Sequence, residues 1–129
     1  MVKQEQGFTM LELLVAIAIF ALVIPALSLG VRNLIVLNNR ARDLSLVSLA
    51  AENKTEQLRS AGYNSLPLGT VDFSGELPTE ISNPKSASYT VTSPEDGIKE
   101  VTITISYWDY STTKSRNYKT IVSELGVGQ

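Results

Sequence analysis

From Phe8 to Val31 the chain reads FTMLELLVAIAIFALVIPALSLGV, 24 residues with one charge, Glu12. No other stretch limits the fold so strongly. A helix of this length reaches roughly 36 Å at about 1.5 Å per residue, enough to cross a hydrocarbon core of about 30 Å. The helical signal does not stop there. Beyond Val31 no proline or glycine occurs until Gly62, so Phe8 to Ala61 is predicted as one helix about 80 Å long. A small domain cannot bury that length. Half of it must go into a membrane or into other subunits.

A secretory signal peptide is the first competitor for residues 8–31. Its apolar region is shorter, follows a basic stretch and ends in a small-residue cleavage site. Glu12, within the first turns of the apolar run, argues against it. Pro25 interrupts the run; inside a helix it removes the bond from its own nitrogen to the Ala21 carbonyl, at a cost of about 3 kcal/mol in water. In a membrane, neighbouring helices or local rearrangement compensate. A kinked continuous helix and a locally unwound one both fit the sequence.

At about 100° per residue, Val36, Leu44, Val47, Ala51, Leu58 and Ala61 share a face suited to packing on a sheet. Ile35, Leu46 and Leu49 form a shorter second stripe, and Arg40, Arg42, Asp43, Glu52, Asn53 and Glu56 fill much of what remains. Gly62 is expected to cap the helix in a left-handed conformation, with Lys54 and Arg59 near the negative end of the dipole.

Residues 63–88 carry three prolines and two glycines and read as a connecting region. Leu66, Leu68, Val71, Phe73, Leu77 and Ile81 are its expected anchors, with a short strand at Thr70–Phe73. Then the period changes to two. Strands are predicted at Ala87–Thr92, Ile98–Tyr110 and Arg116–Glu124, joined by turns at SPEDG (93–97) and STTKS (111–115). Short connections favour an antiparallel meander. Its Val101, Ile103, Ile105 and Tyr107 face should pack on the helix. Trp108 and Tyr110 are expected at the exposed end of the long strand. The expected class is α+β: a long N-terminal helix packed on a C-terminal antiparallel sheet of three to four strands.

Composition narrows function mainly by exclusion. A net charge of −2 gives no support to nucleic-acid binding. The chain has neither cysteine nor histidine, which removes disulfides, thiolate metal sites and the commonest general base. No nucleophile–base pair can be assembled, and an enzyme is not expected. Asp72, Glu76, Glu80, Glu95, Asp96 and Asp109 lack the dense spacing of a calcium loop. Neither a metal nor a cofactor is expected.

Gly7-Phe8-Thr9-Met10-Leu11-Glu12, running into LLVAIAIFAL, closely resembles the processing signature of type IV pilins and pseudopilins. In that family a Gly precedes a Phe, a small hydroxyl residue follows, and a Glu stands fifth after the cut. The close resemblance covers about the first 24 residues, with weaker similarity through AENKTEQLRSAGYNSL (51–66) and the C-terminal meander. It is nearest to small minor pilins and the minor pseudopilins of type II secretion. It implies that 1–7 is a leader, 8–31 a transmembrane and polymerisation helix, 32–62 its amphipathic continuation, 63–88 a connecting loop and 89–129 the β-meander. It also implies that a prepilin peptidase cuts between Gly7 and Phe8 on the cytoplasmic side and methylates the Phe8 nitrogen. The subunit would wait in the inner membrane as a single-pass precursor. An assembly platform would then extrude it, with other pilins, into an extracellular or periplasmic filament.

The resemblance gives Glu12 a partner. A charge inside a membrane helix costs roughly 2.5–3.5 kcal/mol at the centre and less near an end, so it persists where something answers it. Cleavage creates one nearby cation, the Phe8 amine. Within one subunit it lies about 6 Å along the axis, so a neighbour's terminus is at least as good a partner. Glu12, Phe8 and Pro25 are therefore the expected assembly residues. Two features depart from the family. Lys3 alone precedes the apolar run while Arg32, Arg40 and Arg42 follow it, which by the positive-inside rule favours the opposite orientation. Pro25 also stands about four residues earlier than the helix-breaking proline of many bacterial pilins.

Overall fold

Thr9, not Phe8, turns the chain into the helix. The computed structural model describes residues 8–124, and in it α1 runs Met10–Ala61, unbroken through Pro25. The chain divides into two units, Met1–Asn38 and Asn39–Gln129. The described part of the first is helix from Met10 onward, and its side chains are almost all exposed.

In the second unit the C-terminal part of α1 lies on a four-stranded antiparallel sheet of order β1-β2-β3-β4: β1 Gly69–Asp72, β2 Ser86–Glu95, β3 Ile98–Trp108 and β4 Thr113–Ser123. The α+β class and the meander stand as expected, with the short strand making four. Each strand sends alternate residues to the helix side. Val91 pairs with Val101 and Ala87 with Ile105, so one face of the sheet is continuously apolar. Val101, Ile103, Ile105 and Tyr107 are buried there with Val47, Ala51 and Leu58 of α1, as predicted.

The helix face itself needs correction. Leu44 and Ala61 are exposed, whereas Asp43 and Lys54 are buried. The buried series is Asp43, Val47, Ala51, Lys54 and Leu58, spaced four, four, three and four. That spacing follows one helix face more closely than the expected stripe. The face starts and ends its polar contacts inside the domain because loops supply partners. Asp43 Oδ2 accepts a 2.6 Å hydrogen bond from Ser82 Oγ. Lys54 Nζ lies 2.9 Å from both oxygens of Glu76 and 4.9 Å from the centre of the Phe73 ring.

Loop details shift as well. Leu66, Phe73, Leu77 and Ile81 anchor the connecting region, but Leu68 and Val71 are exposed. Gly62 takes the positive φ expected of it, 78°, but with ψ 166°, outside the left-handed helix, and its N–H closes a short turn on the Arg59 carbonyl at 3.1 Å. Arg59 stands in the last turn, near the negative end of the dipole as expected, and bonds Thr120 through Nε, while Lys54 goes to Glu76. The first hairpin turns tightly at Asp96–Gly97, with Pro94 absorbed in an irregularity between Thr92 and Glu95. Only a glycine at 97 accepts φ 77° without strain. The second hairpin turns at 109–112, earlier than STTKS, with Asp109 N–H bonded to the Thr112 carbonyl at 2.9 Å. That lengthens β4 and makes Trp108 and Tyr110 half-buried rather than exposed.

Candidate functional site: the N-terminal segment

A helix start leaves its first N–H groups without intrahelical partners. Thr9 answers them. Its carbonyl accepts the first helical bond from Leu13 N–H at 3.2 Å, and its Oγ1 accepts from Glu12 N–H at 3.2 Å. Glu12 reaches back, its Oε2 accepting from Thr9 N–H and from Thr9 Oγ1, each at 3.0 Å. This reciprocal arrangement is a capping box, with Ser or Thr at the N-cap and Glu three residues on. Glu12 also places its negative charge at the positive end of the helix dipole.

The signal for the capping box is local, Thr9-Met10-Leu11-Glu12, and it gives Glu12 a role beyond that of a charge in search of a cation. Before any cleavage the carboxylate already has partners in its own chain. Both Thr9 bonds fall on Oε2, and among the described residues Oε1 has none.

Phe8, just ahead of the cap, is 84% exposed. Gly7 and the rest of 1–7 lie outside the described residues, and so does the Gly7 side of the bond expected to be cut. Pro25 sits inside α1, and three residues on Ser28 Oγ donates to the Ile24 carbonyl at 3.0 Å. All fifteen large apolar side chains from Phe8 to Val31 are exposed, between 42% for Val23 and 84% for Phe8. An 18-residue window of α1 has mean hydropathy 2.7 and no buried share. Covering such side chains in lipid or protein is worth about 1.5–3 kcal/mol each, tens of kcal/mol for the set. By length and composition this helix can span a membrane.

The carboxylates weighed as calcium ligands are dispersed. Asp72 Oδ1 accepts from Ser74 N–H at 2.7 Å, and the Ser74 backbone and hydroxyl hold its carboxyl below the usual range. Glu76 is committed to Lys54. Asp109 is buried against Lys114 Nζ at 2.7 Å and Arg40 Nε at 3.3 Å. The Lys114 hydrogen bond, then the charges of Arg40, Lys114 and Arg116, lower its carboxyl against the opposing effect of burial. Among the described residues no three His, Cys, Asp or Glu side chains are grouped so that they could hold a metal ion.

Sequence reasoning missed Asp43, which is fully buried. It accepts from Ser82 N–H at 3.3 Å as well as from the Ser82 hydroxyl, and Arg42 Nη2 lies 3.3 Å from its other oxygen. With the single Ser82 proton committed to the carboxylate, the Tyr110 hydroxyl, 3.0 Å away, donates to Ser82 Oγ. The periodicity of residues 43, 47, 51 and 54 was the available signal; the polar identity of Asp43 hid it.

A family model, the prokaryotic N-terminal methylation motif, matches residues 2–24, ending one residue before Pro25. It is the signature of type IV pilins and pseudopilins, structural proteins rather than an enzyme family. No curated protein and no solved structure matches the chain.

Proposed function

We propose that this chain, with its pilin-type N-terminus, is a structural subunit of a type IV pilus or related filament, cut between Gly7 and Phe8 and methylated at the new Phe8 nitrogen. The observation that carries this is the helix from Met10 to Val31, apolar on every side, left exposed and opened by a capping box that holds Glu12. A membrane covers such a surface in the precursor, and the same segments of other copies cover it after assembly.

In this reading Gly7 and Phe8 are the processing residues, and Phe8, Glu12 and Pro25 the assembly residues. Cleavage leaves Thr9 N–H and its hydroxyl in place, so the box that holds Oε2 survives. Oε1 then faces the newly made Phe8 ammonium of a neighbour. In a low-dielectric core that pair strengthens and fixes axial register. Prepilin peptidase, an inner-membrane assembly platform and further pilins are the partners. The single-pass precursor resides in the inner membrane, and the product is an extracellular or periplasmic filament.

The deciding experiment is mass spectrometry of the protein from producing cells, joined to shearing of the cell surface. An N-methylated Phe8 terminus and recovery in sheared or secreted filaments are expected. An intact Met1 terminus retained in the membrane would leave the other reading, a non-polymerising single-span protein whose β-domain binds a partner. A pseudopilin of a type II secretion or competence system differs only in which apparatus the filament serves, and deletion of each apparatus in turn distinguishes them.

A further inference from the structure

The two ends of the sheet carry opposite surface charge. At one end β4 begins with Lys114 and Arg116, paired in register with Tyr107 and Ile105 of β3. Arg40 and Arg42 of α1 join them. Arg40 and Lys114 both contact Asp109, and Arg42 contacts Asp43. The carboxylates of this cluster face inward, Asp43 at 1% and Asp109 at 8% side-chain exposure. Three of the four cations face water, Arg42 at 54% and Lys114 at 48%, with Arg116 exposed too, while Arg40 is half-buried against Asp109. Glu80 is an exposed carboxylate beside them, its carbonyl 3.4 Å from Arg42 Nη2, and the end stays net positive.

About 30 Å away along β4, at roughly 3.4 Å per residue, the other end is acidic. Glu95 and Asp96 stand at the β2–β3 hairpin, and Glu124 N–H bonds the Gly97 carbonyl at 2.9 Å, bringing a third carboxylate to the same tip. All three are exposed. Among the described residues none of them is in a salt bridge. The cation nearest in the sheet, Lys99, is turned to the Tyr63 and Leu66 carbonyls at 2.7 and 2.8 Å.

We infer that the acidic tip formed by Glu95, Asp96 and Glu124 docks on the basic end formed by Arg42, Lys114 and Arg116 of a second copy of this chain. Such a contact joins different patches of identical subunits. It is heterologous, and repeats without closing when the rotation between copies does not close. Exposed ion pairs are individually weak and screened by salt beyond about 8–10 Å. Their weight here comes from repetition, one contact at each end of every copy. The inference rests on the filament reading and adds which surfaces of the folded domain meet.

The test is charge exchange in the full chain, read as protein recovered in sheared filaments. Asp96→Arg and Arg116→Glu each replace an exposed side chain outside the core. Each alone is expected to lower recovery at least fivefold, and the two together to restore at least half of it. The chain has no native cysteine, so Asp96→Cys with Arg116→Cys is expected to give a ladder of disulfide-linked multimers in assembled material. Normal recovery of both single variants, no rescue in the double variant, or filaments without the ladder would overturn the inference and leave the filament reading standing. If Arg116→Glu weakens sedimentation with phosphatidylglycerol vesicles while Asp96→Arg changes nothing, the basic end meets lipid and the inference also falls. Failure of the unaltered chain to form filaments overturns the filament reading, and this inference with it.

Discussion

Glu12 Oε2 takes two hydrogen bonds from Thr9, one from the backbone N–H and one from the hydroxyl, both at 3.0 Å. The carboxylate is thus held at the helix start by its own chain, and its role in capping can be separated from its role as a charge. Glutamine preserves the cap, since its amide oxygen accepts the same bonds, but it cannot pair with an ammonium. Glu12→Gln and Glu12→Ala are therefore both expected to be expressed and cleaved, yet to lose filaments at least about tenfold, the factor that about 1.4 kcal/mol would make in a single binding constant. Immunoblots of sheared and membrane fractions measure this. Filament content of Glu12→Gln equal to the unaltered chain would leave capping as the whole role of the residue.

Asp43 predicts a stability effect. Its carboxylate is fully buried, with Ser82 supplying two hydrogen bonds. Asp43→Ala removes the acceptor and strands the Ser82 N–H and hydroxyl, so the expected loss is about 2–4 kcal/mol. Ser82→Ala leaves a buried charge with fewer donors and should cost about 1–3 kcal/mol. Because the two share the same bonds, the double variant should cost less than the sum. Urea unfolding of the full chain in detergent, followed by fluorescence of Trp108, the single tryptophan, reports on the β-domain and tests the non-additivity.

These residues also mark how far the sequence could be read. Alternation along Val101–Tyr107 and the spacing of Val47, Ala51 and Leu58 are local patterns, and they placed helix against sheet. Asp43 and Lys54 follow the same helical spacing, but their burial depends on Ser82 and Glu76, 39 and 22 residues away. No local pattern carries that pairing. Of the two predicted turns, one held and one shifted, for a related reason. The first turn closes on Asp96–Gly97, inside the predicted 93–97, where Asp-Gly is a strong local hairpin signal. The second moved because Asp109 is drawn inward by Arg40 and Lys114. At the N-terminal site the capping box was local and legible.

Asp109 makes stability depend on acid. Lys114, with Arg40 and Arg116, holds the folded carboxyl below its ordinary value, near 3.9 for an unfolded aspartate. The folded state then binds fewer protons than the unfolded state in the interval between the two values. The contribution is fully present above about pH 4–5 and is lost as pH falls through the folded value. Asp109→Asn should lie below the unaltered chain in melting temperature at pH 7, and the gap should narrow as the pH falls below the ordinary aspartate value. Melting curves of both chains across pH 2–7 check this, since other carboxylates titrate alike in the two. A gap between them that stays constant with pH would show that Asp109 acts by packing and not by charge.

Pro25 predicts a local effect confined to the apolar helix. It stands inside the continuous α1 and donates no hydrogen bond to the turn before it. Pro25→Ala restores that donor and removes the ring's crowding of Ala21, stabilising the turn by up to about 3 kcal/mol. Amide hydrogen exchange of the full chain in micelles should then slow across 22–29, by as much as about 100-fold where local opening governs exchange. Protection in the β-domain should not change. If exchange across 22–29 is the same with Pro and Ala, opening of this turn is set by residues other than Pro25, and an unwound stretch centred on it loses its physical basis.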